Sequence, residues 1–112
     1  MSLALRESPA AANALRVGLA ALGAAAGTLE RHTETPWSSI TFSGTRHRLT
    51  YRFEGEQAVC HGKSFAGMLP EHLFDIRGQL VADACVTSQD ELHRGDDVAL
   101  TLELELLLLE DA

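Results

Sequence analysis

The sequence predicts a two-layer α+β sandwich, an antiparallel sheet of four or five strands with two helices on one face, and three patterns carry that prediction. Leu15, Leu19, Leu22, Ala26 and Leu29 recur at the 4-3-4-3 spacing of one helix face. His47, Leu49, Tyr51 and Phe53 alternate with Arg48, Thr50, Arg52 and Glu54, as on a strand with one buried face. Leucine then occupies every even position from 100 to 108, with Thr101, Glu103 and Glu105 between, which is the pattern of a long half-buried strand.

Taken in order, Leu3 and Leu5 alternate with small or polar neighbours, the pattern of a short first strand. Ser8-Pro9 is an N-cap followed by proline at the first helical position, so the first helix is expected to open there and run to about Arg31. Its other faces, with Ala20, Gly23, Ala24 and Gly27, are hardly polar. Thr35-Pro36 breaks the helix, Trp37–Ser43 reads as a strand with Ile40 and Phe42 on its apolar side, and Ser43-Gly44-Thr45 supplies the turn into the His47–Glu54 arm. Ala58, Gly62, Phe65 and Leu69 return to helical spacing before Pro70. Leu80–Thr87 reads as a strand with Leu80, Ala82, Ala84 and Val86 on one face, followed by a polar loop from Ser88 to Asp97 and the closing strand Val98–Glu110. With Leu3–Leu5 included, the order is that of a ferredoxin-like sandwich extended by a C-terminal strand. Ile40, Phe42, Leu49, Tyr51, Phe53, Phe65, Leu80, Val86, Leu100, Leu102 and Leu104 are the expected core, in a single domain over residues 1–112.

Composition narrows the classes of function. Of 112 residues, 46% are apolar and 22% charged, and no uninterrupted apolar run reaches the length of a membrane span. The formal charge of −7 is concentrated at the C-terminal end, where residues 83–112 carry nine acidic side chains against Arg94 alone. Such a surface repels phosphate backbones and anionic lipid, so neither nucleic acid nor membrane is an expected partner. Arginine outnumbers lysine eight to one among abundant Ala and Leu, the bias of a GC-rich bacterial genome. Cys60 and Cys85 match no metal or disulfide motif and are expected as reduced thiols of a cytoplasmic protein. The uncharged run Val17–Leu29 with Ala24-Ala25-Ala26 has something of a signal peptide, but Glu7 puts an acid where a basic segment belongs.

Few residues suggest chemistry. Arg46, Arg48 and Arg52 share a strand face and are candidates for an anionic ligand, although Asp83, Glu103 and Glu105 are expected on the same open sheet face to neutralise them. Asp83 among uncharged neighbours, with His47 or His61, is the candidate acid–base pair. Cys60, His61, Glu71, His72 and Asp75 lack metal-ligand spacing, and no motif for a metal, nucleotide or cofactor is present, so no cofactor is expected. Near the end the alternation fails, and Leu107 and Leu109 enter the face that Glu103 and Glu105 keep polar. These leucines are the expected interface of a homodimer. The reading that leaves no chemistry unexplained is a non-enzymatic, self-associating interaction or structural module. A small-molecule binding or sensing domain comes second, and a small enzyme third.

Overall fold

The computed structural model describes residues 9–110. The elements run α1 (Pro9–Leu22), a 3-10 turn (Ala24–Ala26), β1 (Thr28–Ser38), β2 (Ser43–Glu54), α2 (Glu56–Met68), a second 3-10 turn (Leu69–Glu71), β3 (Gln79–Arg94) and β4 (Asp97–Glu110). The four strands form one antiparallel sheet in the order β1-β2-β4-β3, and the helices lie against one face, so the two-layer α+β architecture is as the sequence predicts. In a ferredoxin-like sandwich a central place in the sheet belongs to the first strand. Here β4 holds that place, between β2 and β3, and is no extension at the margin. The strand expected at Leu3–Leu5 lies outside the described residues.

Helix α1 forms because its sequence is rich in alanine, and it buries Ala11, Ala12, Leu15 and Leu19 along one stripe. It stops nine residues short of Arg31. Gly23 has φ 151°, a conformation that a side chain strongly disfavours, and its N–H bonds back to the carbonyls of Leu19 and Ala20. The apolar spacing nevertheless continues through the break, because Ala24 still packs in the core and Leu29 enters it from a strand, opposite Tyr51. That continuity is what makes the sequence read as unbroken helix. The polar run that follows is β1, an edge strand with a bulge at Glu30 and with Pro36 where an edge tolerates it.

β2 and β4 set the core. Their register places His47 opposite Leu106, Leu49 opposite Leu104, Tyr51 opposite Leu102 and Phe53 opposite Leu100, all buried on the helix-facing side. Each fully buried leucine contributes about 1.5–3 kcal/mol relative to exposure. Val59, Gly62, Phe65 and Leu69 bring α2 and the turn after it onto this layer, and the Phe53 and Phe65 rings stand 6.5 Å apart.

Three expected core residues are exposed. Ile40 (105% exposed) and Phe42 (49%) belong to the loop between β1 and β2, because pairing closes at Ser38 and Ser43 and leaves Ser39 to Phe42 as the hairpin tip. Leu80 (57%) faces away from the helices, because an extra residue at Ala82 shifts the phase of β3. Past that bulge Ala84 and Val86 do pack on the core. The expected loop from Ser88 to Asp97 is also replaced by strand. A second bulge at Thr87 carries β3 on to Arg94, and only Gly95-Asp96 separates the closing pair Arg94 and Asp97.

Candidate functional site

The three candidate arginines are held by acids on the open face of the sheet. Arg46 Nη1 lies 2.6 Å from Glu105 Oε2 and Arg48 Nε lies 3.1 Å from Glu105 Oε1, while Arg52 bonds Glu54 on its own strand at 2.9 Å. Arg48 and Glu105 are direct register partners, so strand pairing itself brings the charges together. The hydrogen bond from Arg46 holds the Glu105 carboxyl below its usual range.

The candidate acid–base partners are not brought together. Asp83 stands opposite Leu107 on the open face, beside Cys85, whose thiol is pushed up first by burial and then by Asp83. His47 is fully buried on the other face, and His61 is exposed on α2, the layer that covers that face. The sheet thus separates the carboxylate from both imidazoles. Cys60, His61, Glu71, His72 and Asp75 form no group of converging ligand atoms among the described residues. Cys60 and Cys85 are both free. Leu107 is half-buried, and Leu109, 7% exposed, is already covered by its own chain.

A different cluster forms where β1 meets β2. Residues two apart on a strand share a face, so His32 and Glu34 both project to the helix side, and register sets Glu34 directly opposite His47. One ligand atom from each of the three lies within 4.8 Å of the others. His32 Nε2 is 2.8 Å from His47 Nδ1, and Arg16 of α1 lies 2.9 Å from His32 Nδ1. A guanidinium only donates, so His32 Nδ1 accepts. In the neutral ring the proton is then on Nε2, which donates to His47 Nδ1. Burial decreases from His47 through His32 to Glu34, so the cluster opens to solvent on its carboxylate side.

Of the three, His47 is a candidate on the sequence alone, and His32 and Glu34 are not. The pattern His32-x-Glu34 is there to be read, but only if residues 28–38 are taken as strand; a helix running to Arg31 hides it. Elsewhere, a depression of about 410 Å³ is lined by Arg52, Glu54, Leu92, Arg94 and Asp97, a mixture of both signs of charge. No helix among the described residues is long and apolar enough to cross a membrane.

No family model matches the chain, and no curated protein matches it. Among solved structures, a chain from the virion of a native gene transfer agent (GTA) particle has a similar fold, with a TM-score of 0.62 at 15% identity over 91% of this chain and 99% of that one. At that identity the likeness is one of fold.

Proposed function

We propose that the protein is a non-enzymatic structural module that associates with copies of itself, as a building block of a multi-subunit particle. The observation that carries this reading is the near end-to-end similarity of fold to a virion chain, which spans almost all of both molecules. The distribution of apolar surface supports it. Half-buried Trp37 and exposed Leu80 stand at the two ends of one row on the open face, which Gly44 and the buried Leu109 complete, and half-buried Leu107 stands in the next row on that side. The hairpin tip with Ile40 and Phe42 projects from this same end of the sheet. At the opposite end the charged residues Glu54, Arg94, Asp96 and Asp97 gather around the second hairpin.

A homodimer joined through this apolar end, with Leu107 inside the contact, is the simplest such assembly. The outer edge of β3, which pairs with no other strand among the described residues, offers a second place for a copy to add. Sedimentation over a dilution series tests the reading: mass should rise with concentration, and Leu80→Glu combined with Ile40→Asp should return the protein to monomer with its fold intact. A wild type that stays monomeric at high micromolar concentration defeats the proposal. Leu109→Glu is unsuitable for this purpose, because it would place a charge in a position the chain itself buries.

A further inference from the structure

We propose that His32, Glu34 and His47 form a binding site for a divalent transition-metal ion, with Zn²⁺ the best match. Two imidazole nitrogens and one carboxylate oxygen are a donor set that zinc takes readily, leaving a fourth position for water or a further ligand. Nitrogen donors also exclude a site built for Ca²⁺ or Mg²⁺, which take oxygen.

The scaffold is suited to this. All three side chains leave a paired stretch of antiparallel backbone, with Glu34 and His47 in direct register and His32 two residues away on the same face. Their spacing is therefore set by the sheet and needs no loop to fold around the ion. His47 is 0% exposed beside Leu49 and Leu106, whereas Glu34 is exposed, so an ion enters from the carboxylate side and meets a ring that cannot swing away.

Binding rearranges one proton. Without metal, the proton on His32 Nε2 lies between the two rings, 2.8 Å apart, and Arg16 donates to His32 Nδ1. The ion takes the place of that shared proton, bonding His32 Nε2 and His47 Nδ1. The displaced proton moves to His32 Nδ1, so no net proton is lost, and Arg16 must give up its contact there because two donors cannot face each other. Arg16 is thus a competitor of the ion, and α1 senses occupancy through it.

Titration of the metal-free full chain with Zn²⁺ by calorimetry, and with Co²⁺ by visible absorption, tests the site. About one ion should bind per chain, with the intense d–d bands of four-coordinate Co²⁺. Glu34→Gln and His32→Gln should each weaken binding by about ten-fold or more, by loss of a ligand. Glu34 is exposed, so its variant remains informative if changes at buried His47 prevent folding. Arg16→Gln should bind more tightly than wild type, and Cys60→Ser, which removes the exposed thiol beside His61, should bind as wild type does. No binding at high micromolar Zn²⁺, or binding indifferent to Glu34→Gln and His32→Gln, overturns the proposal. So does weaker binding in Arg16→Gln.

Discussion

At the scale of single residues, Glu105 shows how strand register becomes electrostatics. Its carboxylate takes hydrogen bonds from Arg46 and Arg48 across the β2–β4 ladder, and its pKa is lowered in consequence. A group whose folded pKa lies below its unfolded value adds stability above the unfolded pKa and loses it as pH falls through the folded one. Thermal melts should therefore show wild type losing an increment of stability below about pH 5 that Glu105→Gln never had, so the two curves converge in acid. Curves that stay parallel would mean the pairs contribute nothing. The thiols give a second expectation. Cys60 is exposed, while the Cys85 thiol is raised by burial and by Asp83, so an aromatic disulfide reagent at neutral pH should label Cys60 fast and Cys85 slowly, and denatured, unreduced protein should show both. In the core, Phe53→Ala should cost about 3–5 kcal/mol in chemical denaturation, since the ring is fully buried between α2 and β4.

At the scale of elements, glycines in two helical contexts should respond in opposite directions. Gly23 ends α1 at φ 151°, and a Cβ there would also stand 3.0 Å from Cβ of Phe65. Gly23→Ala should destabilise by about 1–3 kcal/mol, from strain and crowding together. Gly67 lies within α2 with nothing near the position of a Cβ, so Gly67→Ala should stabilise by about 0.5–1 kcal/mol through helix propensity. Denaturant midpoints of the two variants moving the same way would contradict this account of where the helices end. The strands carry the complementary lesson. Alternation in β2 and β4 is legible because both are central strands with one dry face; β1 and β3 are edges with bulges, and a bulge inverts the phase of everything beyond it.

At the scale of the whole molecule, polarity along the long axis matters more than net charge. Exposed Ile40, Phe42 and Leu80 gather where β1 turns into β2, charged side chains with exposed Leu92 gather where β3 turns into β4, and the molecule extends over 51 Å with a breadth of 25 Å. Association through the apolar end would leave the charged ends outward. Added salt should therefore leave the dissociation constant of the assembly nearly unchanged or tighten it modestly, as burial of apolar surface does. A steep loss of association between low and moderate salt, read by sedimentation, would point instead to an interface built from the charged turn.

The sequence by itself determined the layers. Periodicity in Leu15–Leu19, in Leu49–Phe53 and in Leu100–Leu108 reports burial directly, since a residue facing a dry core is apolar unless a partner takes its polar atoms, as His32 does for His47. It likewise foretold that Arg46 and Arg48 would be answered by acids on the open face. Only the tertiary structure decided where β4 sits, which way Leu80 points and what His32 and Glu34 have to do with His47. Strand order, bulges and cross-strand register join residues far apart in the chain, and no local pattern encodes those pairings. The histidine cluster exists because β1 and β2 pair with Glu34 against His47, and a shift of one residue would have dispersed it to opposite faces.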